Sequence, residues 1–309
     1  MSDPRVDEID ARTASDDVLR AFWEVELACH DETNPGEPPR TADEAIAFAR
    51  FQPTTHTSCH WLADGGFARL SVHGPTAAFV HLLVRPADRR RGVGSALIDA
   101  VLARCRELDV RLLRGQHTTE AGAAFARSLG AVDGGRIVRS LLALREVELP
   151  EPRVEGWTLA TWLGRVPDEH LDALVRVRGA MDDAPDDLDF PSWTAEKQRA
   201  SEESLRQRDR EMRVTVAMRD GEAGAFTELR VSRDSTLGFT DDTATAAPYR
   251  RRGLARAVKL ESLRRLRDDH PEVDVVVTQN AEANAAMRHI NESIGFRPTV
   301  VETTATLTL

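Results

Sequence analysis

Two short stretches carry residue types suited to holding an anion. Residues 89–95 read RRRGVGS and residues 250–255 read RRRGLA. Each follows a strand-like run (79–84 and 237–246) and precedes a helix-like one (96–108 and 256–267). A glycine-rich turn from a strand into a helix leaves backbone N–H groups unpaired at the positive end of the helix dipole, which is a site for a pyrophosphate. Gly92 and Gly94 remove side chains so that such a group can approach the backbone, and flanking arginines add charge-assisted bonds. Arginine is background here, because of 41 basic side chains only Lys197 and Lys259 are lysines. The weight therefore rests on the glycines and on recurrence: the two first arginines stand about half the chain apart, the mark of an internal duplication.

The elements that must position these loops recur in the same order. A short strand (5–9) precedes a helix (16–29) capped by Ser15, whose mostly apolar face carries Leu19, Phe22, Trp23, Val25, Glu26 and Leu27. NPGEPPR (34–40) breaks it, and a second helix capped by Thr41 runs to about Phe51. Strands at 57–63 and 67–72 flank Asp64-Gly65-Gly66, a hairpin signal. A strand (77–85), the first loop, a helix (92–108), a strand (110–114), a helix (120–129) and closing strands (135–147) complete the first half. ELPEPRVEG (148–156) contains two prolines and places a linker at 150–156, between domains 1–149 and 157–309. The second half repeats the order: strand 157–162, helix 168–181, the loop DDAPDDLDFP (182–191) and a charged helix (193–210). Strands 212–219 and 223–232, joined at Asp220-Gly221, precede strand 237–246, the second loop, helix 252–268, strand 273–278, helix 283–294 and strands 296–309. Two tandem copies of one α+β unit are expected.

Composition bounds the function. A length of 309 residues suits two domains, and 41% hydrophobic with 30% charged residues describes a globular protein. No apolar run reaches the length of a membrane helix and the first ten residues are acidic, so a cytoplasmic protein with no membrane partner is expected. A net charge of −10 argues against nucleic acid. Cys29, Cys59 and Cys105 imply neither a disulfide framework nor a zinc cluster. His56, Cys59 and His60 in HTSCH lack a second ligand cluster, so no metal is expected. Residues 201–211 read as a solvated amphipathic face. Trp157, Trp162, Phe190, Trp193 and Phe226 either line a cleft or pack in a core.

Residues 84–94, V-R-P-A-D-R-R-R-G-V-G, resemble the acetyl-CoA pyrophosphate loop of the GNAT superfamily of N-acyltransferases, and residues 245–255 are its variant with Ala255 for the last glycine. NAAMRHINESIGF (284–296) resembles the family's following signature, an Asn and a helix ending in Leu-Gly-Phe. The first half departs from it, with Thr119 near the Asn position and Ala131 after Gly130. The tandem pair, with an acidic MDDAP segment, is similar to actinobacterial double-domain members of the mycothiol-synthase type. The resemblance implies two GNAT-like domains, each a mixed, mostly antiparallel sheet flanked by helices. It implies acetyl-CoA, or another acyl-CoA, as co-substrate and a small-molecule amine as acceptor. The implied cofactor contacts are Leu83, Val84, Arg89, Arg90, Arg91, Gly92, Val93, Gly94 and Ser95. In the second half they are Ala244, Thr245, Arg250, Arg251, Arg252, Gly253, Leu254, Ala255 and Asn284. A monomer is consistent with a tandem chain.

The same resemblance implies direct attack of an amine on a thioester, with a base to take the ammonium proton and an acid for the thiolate. The family's Glu, eleven residues before the first loop residue, is Ala78 or Phe239 here. Strand alternation brings Asp241 onto the face of Phe239 and sends Asp242 and His81 to the other. Asp241 and, on the preceding strand, Glu228 are the candidate bases. The family's acidic Tyr corresponds to Ala126 and Asn291; the single tyrosine, Tyr249, lies in the loop and is expected to pack there. Asn291 is a candidate to hydrogen-bond the leaving sulfur, and a thiol with a pKa of about 8.5 leaves tolerably without an acid. Two readings follow: an N-acyltransferase with catalysis in the second domain and a first domain that binds CoA or acts as scaffold, or a non-catalytic acyl-CoA-binding protein.

Overall fold

The computed structural model describes residues 4–53, 57–72, 74, 76–181, 192–233 and 235–309. In chain order the elements are β1 (Val6–Ile9), α1 (Asp16–Thr33), α2 (Ala42–Arg50), β2 (Thr57–Ala63), β3 (Gly66–Val72), β4 (Ala77–Val84), α3 (Val93–Glu107), β5 (Leu112–His117), α4 (Glu120–Ser128) and β6 (Val132–Ala143). There follow β7 (Thr158–Leu163), α5 (Asp168–Arg178), α6 (Ala195–Gln207), β8 (Arg210–Arg219), β9 (Glu222–Ser232), β10 (Leu237–Thr245), α7 (Leu254–Asp269), β11 (Val275–Ala281), α8 (Ala285–Ile294) and β12 (Arg297–Thr308). The acidic loop 182–191, with Phe190, lies outside the described residues, as does His56. Among the described residues no helix is long and apolar enough to cross a membrane.

Local chemistry explains the starts and turns. Ser15 accepts from the Val18 N–H, and Thr41 forms a reciprocal capping box with Glu44. The β8–β9 hairpin turns through Asp220 and Gly221, both with positive φ, the geometry of a two-residue turn that follows strand twist.

The compact units do not divide at the linker. One is built mainly from Met1–Arg136 with Val300–Leu309, the other from Ile137–Asp187 with Ser192–Thr299. The sheet of unit 1 runs β1-β2-β3-β4-β5-β12, antiparallel except for β4 beside β5. That of unit 2 runs β7-β8-β9-β10-β11-β6, antiparallel except for β10 beside β11. The halves 1–149 and 157–309 thus trade their last strands. Residues 303–308 pair with β5, and residues 137–143 pair with β11. Each partner strand needs an antiparallel neighbour, and backbone bonding does not itself distinguish the closing strand of one half from that of the other.

Pleat alternation builds core on both faces of each sheet. In β3, Ala68 and Leu70 face α3 through Leu97, Ile98 and Val101, while Phe67 turns to Leu19, Phe22 and Val25 of α1. In unit 2, Leu229 and Val231 of β9 pack on Leu260, Leu263 and Leu266 of α7, whereas Phe226 packs with Leu174 and Val177 of α5 and Leu205 of α6. Leu142 of β6 is fully buried in the α7 core, and Val132 at the start of the same strand is 70% exposed. Leu142→Ala is therefore expected to cost about 2–5 kcal/mol and Val132→Ala under about 0.5 kcal/mol, measured by urea unfolding.

Candidate functional site

Both loops adopt one backbone conformation. Arg90 and Gly92 have φ of 64° and 85°, and Arg251 and Gly253 have φ of 62° and 77°. A residue in the left-handed region on either side of an arginine curls the chain so that successive N–H groups point to one concavity, ahead of α3 or α7. Gly92 and Gly253 are the residues before the first helical turns, and neither helix has a side-chain cap. The opening amides are thus left to a ligand, on the positive helix end. A Cβ on Gly94 would meet Phe125 at an ordinary 3.5 Å, which explains why Ala255 is accepted in the second copy.

The arginines divide their work. Arg89 Nε donates to the Val84 carbonyl at 3.2 Å, and Arg250 Nε donates to the Thr245 carbonyl at 3.3 Å. The first arginine of each triplet therefore staples the loop to the end of its strand. Arg89 also pairs with Glu32 at 2.7 Å and Arg91 with Asp88 at 3.1 Å, so in unit 1 much of the expected positive charge is compensated. Arg90 and Arg251 are exposed. Val93 and Leu254 are buried in the cores, so they offer a ligand backbone only. Leu83, Val84, Ala244 and Thr245 close the strands that lead in. Arg252 lies over Tyr249, which packs edge-on against Trp157 and donates to Glu222.

Beside each loop a parallel strand pair parts. β4 pairs with β5 only from Ala77 to Phe79 although it runs to Val84, and β10 pairs with β11 only from Leu237 to Thr240 although it runs to Thr245. The later backbone of both strands is thereby released on one edge.

In unit 2 the parting coincides with a β-bulge. Thr240 stands opposite Leu229 and Thr243 opposite Thr227, so Asp241 and Asp242 together face the single residue Glu228. Strict alternation had sent Asp242 to the other face; the bulge brings it into one charged cluster with Asp241 and Glu228. Arg178, at the end of α5, donates to Glu228 at 2.7 Å and Asp242 at 2.5 Å, while Arg230 pairs with Asp241. The Arg178 guanidinium stacks on Trp193 and Phe226. Burial works against its charge, yet Glu228 and Asp242 outweigh it and leave the pKa above the ordinary arginine value. Burial pushes the Asp241 carboxyl up, against the pull of Arg230. Asp242 is 42% exposed and Glu228 only 7%, so Asp242 is the member open to a substrate.

The remaining sequence candidates are occupied otherwise. Asn284 caps α8, its Oδ1 accepting from Met287 N–H. Asn291 is buried and donates one amide N–H to Asn280 Oδ1 at 2.6 Å, while its own Oδ1 has no partner. Trp162 stacks on His170. Cys59 packs against the α3 core, and among the described residues no three His, Cys, Asp or Glu side chains gather as metal ligands.

Unit 1 carries different residues at the matching places. His81 lies eight residues before Arg89, as Asp242 lies before Arg250, and Arg69 stands opposite His81 as Glu228 stands opposite the bulge. His60 continues the row, opposite Arg69. Burial, then the Arg69 charge, lowers His60 to about 4 and His81 to about 3. Sequence reasoning missed Arg178, Arg230 and Arg69, and set Asp242 and His81 aside on the opposite strand face. A usable signal existed for one of them: two consecutive aspartates within a strand are poor strand formers and mark a bulge.

Residues 10–131 match the acetyltransferase (GNAT) family. The mycothiol acetyltransferase of Saccharomonospora viridis is 30% identical over 149 residues, 47% of this chain and 44% of that protein. The mycothiol acetyltransferase of Actinosynnema mirum is 35% identical over 139 residues, 41% of this chain and 45% of that protein. The chain thus spans less than half the length of the curated relatives it matches. A tandem GNAT protein from the clavulanic acid biosynthesis pathway has the same fold over 99% of this chain and 98% of its own, with a TM-score of 0.84 at 24% identity. A GCN5-related N-acetyltransferase from Sphaerobacter thermophilus matches 98% of this chain and 95% of its own with a TM-score of 0.71 at 15% identity. The chain therefore has the tandem GNAT fold.

The lowered histidines tie stability to pH. Their ordinary value is 6.5, so the unfolded chain takes up protons that the fold refuses; their contribution is whole above about pH 6.5 and is lost as pH falls toward 4 and then 3. His81→Leu should reduce the stability lost between pH 7 and pH 5 by about 1–2 kcal/mol, read by urea unfolding at both values. An unchanged difference would mean that the His81 ring is protonated within the fold.

Proposed function

We propose that this tandem GNAT-fold chain transfers an acetyl group from acetyl-CoA to the amine of a small molecule, with the chemistry in unit 2 and with unit 1 holding CoA or acting as scaffold. The observation that carries the reading is the coincidence, within unit 2, of three things: an uncapped helix start behind a left-handed loop, released strand backbone, and a carboxylate cluster at the bulge. The mycothiol acetyltransferase names of the relatives support acetyl as the group moved.

The residues assign themselves roles by what they can reach. Amides from Gly253 to Ala255, with Arg251, hold the pyrophosphate of the co-substrate, and Gly92 to Ser95 with Arg90 do so in unit 1. The acyl-CoA supplies an electrophilic thioester carbonyl. Released N–H groups of β10 beyond Thr240 donate to that carbonyl oxygen, where negative charge develops. The ammonium of the acceptor loses a proton to a carboxylate of the cluster, Asp242 first because it is exposed, with Asp241 and Glu228 behind it on Arg230 and Arg178. The N–C bond forms, the nitrogen sheds its second proton to solvent, the C–S bond breaks, and the thiolate leaves and takes a proton from solvent, which a thiol pKa of about 8.5 permits. Asn291 holds Asn280 through one of its two amide N–H groups.

Isothermal titration with CoA and thiol release across a panel of primary amines test this reading. Gly253→Glu is expected to remove CoA binding by unit 2 and all turnover, and Gly92→Glu to leave kcat intact. Asp242→Asn should lower kcat by about 10²–10⁴ with CoA affinity unchanged. Thiol release at background for every amine, with CoA still bound, would replace the enzyme by a non-catalytic acyl-CoA-binding protein. CoA affinity unchanged in both glycine variants would overturn the loop assignment.

A further inference from the structure

The side of unit 1 that faces α1 and α2 inverts the charge found in unit 2. Where Glu228 and the Asp241–Asp242 bulge stand in unit 2, unit 1 has Arg69 and His81, with His60 next in the row. Arg69 makes no hydrogen bond and no ion pair with any described residue; its guanidinium lies on the Phe48 ring at 4.7 Å, and that of Arg40 lies on the same ring at 4.8 Å. Burial lowers Arg69 to about 10, so it remains a cation at neutral pH, and Arg40 adds to the shift. Glu26 of α1 is the carboxylate that opposes it, acting at a distance without forming an ion pair. Asp10 acts likewise on His60.

The surrounding rings repeat this lack of partners. His60 is 4% exposed and its Nε2 has no partner; His81 Nδ1 has none either. His60 sits edge-on to Phe22, His81 edge-on to Phe67, and Phe22 and Phe67 are in contact at 5.3 Å. A desolvated guanidinium is expensive unless paired, and unmade hydrogen bonds of buried rings add to the cost. These groups persist together in a chain of net charge −10, where carboxylates are abundant as partners. Arg69 and His81 remain partly open to solvent, so a ligand can reach them.

We propose that this face of unit 1 is a binding site for a small, apolar monocarboxylate, held by the Arg69 guanidinium with Arg40 and flanked by His60, His81 and the Phe22, Phe48 and Phe67 rings. Among the described residues Glu26 is the one carboxylate that acts on Arg69, and Arg40 adds a second cation beside it, so a ligand carboxylate finds an unpaired guanidinium whose planar fork matches its two oxygens. The aromatic walls take the apolar remainder of the ligand. The site is independent of acetyl transfer in unit 2.

Benzoate is the probe and benzamide, its neutral isostere, the control, both titrated calorimetrically into the full chain. Saturable binding of benzoate at millimolar concentration, absent for benzamide, is expected. Arg69→Gln should weaken it by about 10- to 100-fold and Arg69→Lys by less. Glu26→Gln should tighten it, since a repelling carboxylate is removed; this arm decides the matter if Arg69→Gln fails to fold by circular dichroism. Equal binding of benzamide, no saturation, unchanged affinity in a folded Arg69→Gln, or no tightening in Glu26→Gln would each overturn the site. CoA binding and thiol release in the same variants should match the unsubstituted chain, so failure here and failure of the acetyltransferase reading are separately visible.

Discussion

Each unit depends on one parallel strand pair that closes for three or four residues and then parts. The closed portion, at Phe79 in unit 1 and Thr240 in unit 2, is held by backbone bonds and by the helix that crosses over between the two strands. Beyond it the strand cannot satisfy its own edge, and the chain turns through two left-handed residues into a helix that begins without a cap. Released strand edge and uncapped helix start therefore arise from one event, the parting of the pair. Between them the loop amides of Arg85 and Asp88 in unit 1, and of Ala246, Tyr249 and Arg250 in unit 2, are spent on backbone carbonyls, so the unpaired groups lie on the strand edge and at the helix start.

What the two units do with the neighbouring sheet face differs in sign. In unit 2 the bulge packs two aspartates against one glutamate, and three carboxylates so close would repel one another strongly. Arg178 and Arg230 answer that repulsion with bonds to all three. A buried bridge of this kind adds little net stability, since desolvation offsets attraction, but losing one partner is costly. Its effect is to fix carboxylates beside the parted strands. In unit 1 no bulge interrupts the β3–β4 ladder, and the corresponding row is Arg69 between two neutral histidines. One scaffold thus presents an anionic floor once and a cationic floor once.

Much of this was legible in the residues. The loops, their glycines and their recurrence marked where the chain turns from strand to helix through left-handed residues, because glycine adopts positive φ without strain and the strand-to-helix order repeats. Ser15 and Thr41 capped the helices as their types require. The arginines were harder to interpret: Arg89 and Arg250 resemble phosphate ligands in sequence, yet both spend their Nε on a carbonyl of their own strand. Nor does a helix position reveal that Asn280 accepts one amide N–H of Asn291.

The sequence by itself determined the duplication, the α+β order and the place of each strand-to-helix loop, because these depend on local backbone preference and on periodicity within a few residues. Tertiary structure alone decided three matters. Closing strands are traded between halves, because backbone pairing is indifferent to which half supplies the strand. Arg178 meets Glu228 and Asp242 from 50 and 64 residues away, because a helix end and a sheet face meet only after packing. Asp242 joins Asp241 because one extra residue in β10 breaks the alternation on which any reading of strand faces rests.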